Sequence, residues 1–408
     1  MGTMLLLLLQ SANAFQEPAF VAARRGGVGR RGVMGVAGQT MRRRIGALRA
    51  SSSLSSSPKR VIFLGTPDVA ALSLSLLLTA SKEGRGGNFS IISVVTQPPA
   101  PSGRKLKLTP SPVQTLAESA GLPVLTPDKA KDPAFLSTLQ ALQPDLCITA
   151  AYGNFLPSSF LALPRFGTLN IHPSLLPKYR GASPVQRTLQ AGDAMTGVSV
   201  LFTELKMDAG PILRQVGHPL EGEEKAPELL RELFAEGTEA LIQALPSVWD
   251  GTATPQEQVE EQATKANKIT AAEAGICFEK ESARTIHNKV RGFAGWPGTW
   301  AWFELVEEEE GGKKSDEIVR LKIVTTRVVE QEGEGRKEAG GRGVELVGGK
   351  TGCLRVVCGD ESVLDLLEVQ PPGKKVMDSK SYANGLRGRT LRWRPMPKKE
   401  VEEGVEGA

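Results

Sequence analysis

Histidine and cysteine are scarce in this chain, with three and four among 408 residues. Cys147 and Cys277 stand alone, while Cys353 and Cys358 have four residues between them and no histidine nearby. That spacing is poor for a zinc motif, and the pattern does not build a disulfide framework. The thiols read as free in a reducing compartment, and no metal is expected. No apolar stretch reaches the roughly 18 residues of a spanning helix, so no membrane partner is expected. The first strand-to-helix turn, after Val61-Ile62-Phe63-Leu64, holds one glycine, Gly65. A dinucleotide fingerprint needs three glycines there, which argues against NAD or FAD.

Acid is missing from the N-terminus. Residues 1–60 hold ten Lys/Arg and one acidic residue, Glu17, leaving 40 basic and 44 acidic residues in the remainder. The body is slightly acidic, so any nucleic-acid contact must come from a local patch. Residues 1–59 read as a disordered targeting leader. Residues 4–9 are a short apolar run, Ser11-Ala12-Asn13-Ala14 is a cleavage-type site before Phe15, and an arginine-rich stretch follows. This two-part leader resembles those that carry proteins into plastids of algae with secondary plastids. A mitochondrial presequence is the alternative.

The length suffices for two domains. Strand patterns near 60–65, 91–95, 146–150, 167–172 and 198–201 alternate with helical ones. They predict an α/β domain over 60–250, with a parallel sheet covered by helices on both faces. A linker spans 251–265. Short strands near 321–326, 343–347, 354–357 and 363–369 predict a small barrel within 266–397. Charged, glycine-rich inserts near 307–316 and 330–343 are expected as disordered loops, and 398–408 as a frayed tail.

The chemistry concentrates in three segments. In the first, Asn170 and His172 share a strand at spacing i, i+2, which points both to one face. An amide donor and an imidazole aimed at one point can stabilise a carbonyl oxygen as it becomes an oxyanion. The turn Ser174-Leu175-Leu176-Pro177 follows, so the pair would close its strand, where open α/β sheets bind ligands. Read as structure alone, the pair is a capped strand end with a satisfied histidine. In the second, Asp208 sits between an apolar strand and the turn Ala209-Gly210-Pro211. A carboxylate there would orient the imidazole. The third is a loop over 96–113 with Arg104, Lys105 and Lys107. These cations, like Lys374 and Lys375 further on, are either solvated charge or phosphate contacts.

Together these segments resemble the folate-dependent formyltransferase family, and within it the branch that acts on methionyl-tRNA. The pattern N-x-H-x-S-L-L-P falls on Asn170 to Pro177, and D-x-G on Asp208-Ala209-Gly210. Thr96-Gln97-Pro98, Ala151-Tyr152-Gly153, Arg180-Gly181-Ala182 and Gln370-Pro371-Pro372-Gly373-Lys374-Lys375 match further motifs, and the likeness spans about 60–395. Pro99, Ala100 and Lys105 depart from the usual loop, leaving Arg104 as its best-matched cation.

The resemblance implies a Rossmann-like formyltransferase domain followed by an OB-like, tRNA-binding barrel. It implies a monomer that takes 10-formyltetrahydrofolate as co-substrate and methionyl initiator tRNA as acceptor. Asn170, His172 and Asp208 would be catalytic. Ser174, Leu175, Leu176 and Pro177 would contact the folate, and Arg104, Lys105, Lys107, Lys374 and Lys375 the tRNA. A formyltransferase acting on an amino sugar or a nucleotide amine is the alternative. A catalytically silent RNA-binding protein is a second, opposed by the intact trio.

Overall fold

A computed structural model describes residues 57–102, 106–309, 312–330, 342–348 and 352–395, without the side chains of 308–309 and 312–316. The leader up to residue 56, Arg104 and Lys105, most of the 330–343 insert and the tail from 398 lie outside the described residues.

Seven strands form the first sheet: β1 (Lys59–Gly65), β2 (Phe89–Val95), β3 (Val124–Leu125), β4 (Leu146–Ala150), β5 (Thr168–His172), β6 (Met195–Phe202) and β7 (Ile212–Pro219). Their order is β7-β6-β5-β4-β1-β2-β3. The pairs from β3 through β5 are parallel. Residues 61–65 of β1 and all of β4 are buried, as expected of central parallel strands with both faces covered. The chain runs outward from β1 to β3 and then returns to β4 beside β1. The crevice beyond the carboxyl ends of β1 and β4 is therefore the switch point where such sheets take ligands.

The strand expected near 198–201 is longer, and it runs antiparallel to both β5 and β7. Strand periodicity does not encode direction. The preceding helix, Pro184–Ala191, is only eight residues and ends at Gly192 in the left-handed conformation (φ 76°).

Helix Asp68–Lys82 buries one stripe (Val69, Ala70, Ser73, Leu74, Leu77 and Ala80) and carries Asp68 in its first turn and Lys82 in its last, which suits the helix dipole. Helix Ala226–Trp249 crosses β5 and β6 closely. A Cβ on Gly237 would lie 2.4 Å from Val198 Cγ2 and 2.7 Å from Ile171 Cγ2. Ile171 therefore faces this helix, and strand alternation turns Asn170 and His172 to the opposite face.

The second domain closes six antiparallel strands into a barrel: β8 (Thr299–Glu309), β9 (Gly312–Val329), β10 (Gly343–Val347), β11 (Cys353–Val357), β12 (Val363–Gln370) and β13 (Thr390–Arg394). The order is β9-β8-β13-β10-β11-β12, with β12 pairing back onto β9. Phe303, Leu321, Leu354, Val356, Leu364, Leu366 and Leu391 fill the core, and helix Ala283–Gly292 adds Ile286 and Val290. The insert near 307–316 differs from the expected disordered loop. Backbone pairing continues through Glu307↔Lys314 and Glu308↔Lys313 to Glu309↔Gly312.

Candidate active site

His172 ends β5 and is 4% exposed. Its Nε2 lies 2.9 Å from the carbonyl oxygen of Tyr179. A carbonyl only accepts, so Nε2 carries the hydrogen and donates it. Nδ1 faces Asp208 Oδ1 at 3.7 Å, an ion pair when the ring is protonated but too long for a direct hydrogen bond.

Asn170 stands opposite Thr149 of β4 in the sheet register. Thr149 Oγ1 donates to Asn170 Oδ1 at 2.7 Å. That contact fixes the amide with its oxygen spoken for. No hydrogen bond among the described residues takes up Nδ2, which is the donor an oxyanion needs.

Asp208 lies in the loop between β6 and β7 with φ at +50°, an uncommon conformation for a residue with a side chain. Its Oδ2 accepts from the Gly181 amide at 2.9 Å. Gly181 has φ +131°, and a Cβ there would lie 2.6 Å from the Ala266 carbonyl oxygen. Only glycine gives that amide its direction without displacing the neighbouring chain.

The structure thus brings Asn170, His172 and Asp208 to one end of the sheet. Two of the four residues in the turn after His172 are bonded within the protein. Ser174 is fully buried; its hydroxyl donates to the Lys178 carbonyl (2.8 Å) and its own carbonyl accepts from Ser199 (2.6 Å). The Leu176 amide donates to Ser199 Oγ, and its carbonyl accepts from Gln215. Half-buried Leu175 and Pro177 keep surface to offer. Lys107 is exposed on a small hairpin of Ala100–Ser102 and Lys107–Thr109. Lys374 and Lys375 are exposed in the turn after β12.

Residues that sequence reasoning did not single out complete the site. Tyr179 has φ +63°, and its hydroxyl donates to Asp193 at 2.9 Å. Burial and the Asp193 carboxylate push its phenol up to about 12, so it keeps that proton at neutral pH. Arg180, 9% exposed, points its guanidinium at Gln258 and Glu260. Hydrogen bonds from Lys206 and Arg180 hold the Glu260 carboxyl below its ordinary range. Arg180 and Gly181 belong to the Arg180-Gly181-Ala182 motif, which carried the resemblance but no role for either residue. Nothing in the Gln/Glu-rich stretch around Gln258 distinguishes that residue. At the switch point, Thr66 Oγ1 (3.0 Å) and Gln97 Nε2 (3.3 Å) both donate to the Tyr152 carbonyl and tie the crevice loops together.

An amide donor, an imidazole and a carboxylate thus gather at one end of a Rossmann-like sheet that a small barrel follows, and the comparisons place this arrangement among the formyl transferases. The family model described as "Formyl transferase" matches residues 59–245, and "Formyl transferase, C-terminal domain" matches 268–387. A methionyl-tRNA formyltransferase of Stutzerimonas stutzeri is 38% identical over 330 residues, 81% of this chain and 96% of its own length. One of Frankia casuarinae is 39% identical over 340 residues, with the same coverages of 81% and 96%. The chain belongs to the methionyl-tRNA formyltransferase family. The fold also resembles an N-formyltransferase of Helicobacter canadensis solved with folinic acid and dTDP-3-aminofucose. Its TM-score is 0.52 at 15% identity, covering 77% of this chain and 99% of that one.

Proposed function

We propose that this chain transfers the formyl group of 10-formyltetrahydrofolate to the α-amino group of methionyl initiator tRNA. The observation that carries the reading is the trio itself. A free amide donor, a tethered imidazole and a carboxylate converge where this fold takes ligands, in a chain alike to methionyl-tRNA formyltransferases over nearly their whole length. The amine nitrogen attacks the formyl carbon, and the carbonyl oxygen becomes an oxyanion. Asn170 Nδ2 donates to it. Nε2 of His172 is committed to Tyr179, so the imidazole acts through Nδ1, in the space shared with Asp208. The attacking amine must lose a proton and N10 of the folate must gain one as the carbon–N10 bond breaks. The Nδ1–Asp208 gap of 3.7 Å suits a relay through the incoming amine or a water.

Exposed Lys107, Lys374 and Lys375 support phosphate contacts to the acceptor, with Arg104 and Lys105 completing the loop cluster. The turn Ser174, Leu175, Leu176 and Pro177 contacts the folate, and the half-buried Leu175 and Pro177 keep surface for it. The enzyme acts as a monomer. Residues 1–59 direct it to an organelle, a plastid before a mitochondrion, where it serves translation initiation. Their near-absence of acid and their arginine content support this. A fusion of residues 1–59 to a fluorescent protein tests the address; diffuse cytosolic signal contradicts it. The reaction is tested with formyl-labelled 10-formyltetrahydrofolate and charged initiator tRNA. Label is expected on the aminoacyl nitrogen; none there, with label on an amino sugar or nucleotide amine, overturns the assignment.

A further inference from the structure

Residues 256–266 connect the two domains, and the structure ties this stretch to both members of the His172–Asp208 pair. Gln256 exchanges backbone hydrogen bonds with Ile212, the first residue of β7 (2.8 Å each way). Gln258 Nε2 donates to the carbonyls of Asp208 and Gly210, both at 2.8 Å. Its Oε1 accepts from Arg180 Nε (3.0 Å) and Nη2 (2.8 Å). One amide thus spans the loop that carries the carboxylate and the segment whose Gly181 amide binds that carboxylate. Six residues on, Thr264 Oγ1 accepts from the Tyr179 amide at 2.8 Å, and its carbonyl accepts from the Arg180 amide at 2.8 Å. Tyr179 presents the carbonyl that fixes His172 Nε2. Lys265–Ala266 then pairs in parallel with Arg180–Gly181.

Both functional loops carry left-handed residues, Asp208 (φ +50°) and Tyr179 (φ +63°). Such conformations persist only where surrounding contacts over-determine them. Contacts from the interdomain stretch reach both: Gln258 holds the Asp208 carbonyl and Thr264 the Tyr179 amide. We infer that residues 256–266 are a positioning strap, with Gln258 setting the carboxylate of Asp208 and Thr264 setting the ring of His172 through Tyr179. The strap continues into the barrel's lead-in, so the tether to the second domain and the geometry of the reacting centre are one piece of chain. The inference rests on the proposed reaction only for its activity readout.

Four variants of the full chain test it. Thr264→Val keeps the shape and loses the acceptor, whereas Thr264→Ser keeps the acceptor. Gln258→Ala loses both halves of the bridge. Gln258→Glu keeps the acceptor for Arg180 and loses the donor to Asp208 and Gly210. The first readout is backbone amide exchange. Thr264→Val is expected to speed exchange at Tyr179 while Thr264→Ser does not. Both Gln258 variants are expected to speed it at Gly181, whose amide binds Asp208. The second readout is kinetic. Thr264→Val, Gln258→Ala and Gln258→Glu should each lower kcat by about 10- to 100-fold, the range for a small misplacement of reacting groups. KM for both substrates should stay within about twofold, and Thr264→Ser should recover the wild-type rate.

Wild-type rates and unchanged exchange in all four variants overturn the strap. A wild-type chain inactive on methionyl-tRNA overturns the functional reading instead, and the exchange arm still decides the strap. If kcat falls only as far as melting temperature and the active fraction fall, or if Thr264→Ser fails to rescue, the residues are merely structural and the inference is wrong.

Discussion

The carbonyl oxygen of Tyr179 accepts a hydrogen bond from Nε2 of His172 at 2.9 Å. This contact settles which imidazole nitrogen is available. Nε2 faces the protein, and only Nδ1 looks toward Asp208. His172→Ala should abolish turnover while tRNA binding, measured by filter retention, persists. Lost binding with chemistry intact would place His172 in the wrong site. Asp208→Asn retains an oxygen for the Gly181 amide and so should fold normally, yet lose at least about 100-fold in kcat. That estimate follows the scale for losing a positioned acid–base group.

Asn170 and Thr149 form a graded pair. Asn170→Ala removes the proposed oxyanion donor and should lower kcat by about 100- to 1,000-fold. Thr149→Val removes only the hydroxyl that orients the amide, so its effect should be smaller, about tenfold or less. Steady-state kinetics at saturating folate checks the order. A larger effect for Thr149→Val would mean that the amide does not meet the oxyanion.

Gly181→Ala would set a Cβ 2.6 Å from the Ala266 carbonyl oxygen at φ +131°. The segment must shift, and the amide that binds Asp208 shifts with it. The expected outcome is a loss of about 1–3 kcal/mol in stability, the range for a strained backbone position, together with a fall in kcat. Thermal denaturation and initial rates on the same preparation test it; wild-type values for both contradict the geometry.

The periodicity that made Asn170 and His172 legible is a property of strands: i and i+2 share a face whatever the fold. Asp208 was legible because a motif ties it to the histidine at a fixed separation. The rest of the site was hidden for a physical reason. Tyr179 and Gly181 act through backbone groups, which every residue has, and Gln258 acts across a distance of 50 residues from Asp208. The direction of β6 was equally invisible, because an apolar strand reads the same either way. The hydroxyl bond by which Ser174 closes its own turn was hidden too, because it depends on the path of the chain to Lys178. The barrel strands were recognisable by composition. The pairing of β8 with β9 out to Glu309 and Gly312 was not, because register is not written in composition.

Asp365 of β12 is fully buried, and Arg355 and Arg327 hydrogen-bond to its carboxylate at 2.8–3.1 Å. Burial opposes ionisation, but the two guanidinium groups prevail and hold its carboxyl below the ordinary aspartate value of 3.8. A depressed native pKa contributes stability that is present above the unfolded value and lost as pH falls through the folded one. The barrel should therefore lose stability as pH drops below about 4. Asp365→Asn should cost about 1.5–3 kcal/mol at pH 7, typical of hydrogen bonds to a charged group. It should also flatten the acid limb. Calorimetry between pH 2.5 and 7 that shows equal acid sensitivity in both proteins rules this out.

Lys374→Ala with Lys375→Ala should weaken binding of methionyl-tRNA and leave the KM for folate unchanged. The slope of log affinity against log salt should fall by about 0.7–0.9 for each phosphate contact removed. An unchanged slope makes both lysines solvated charge.

The most direct measurement is a comparison of kcat/KM for formyl transfer from 10-formyltetrahydrofolate to three acceptors: methionyl initiator tRNA, a dTDP-amino sugar and glycinamide ribonucleotide. Wild-type chain and His172→Ala are run in parallel. Transfer to methionyl-tRNA is expected at least about 1,000-fold above either other acceptor, and lost in His172→Ala, because the site and not solution chemistry forms the bond. Preferential transfer to the sugar or the nucleotide, or a His172→Ala variant that still formylates methionyl-tRNA at the wild-type rate, would contradict it.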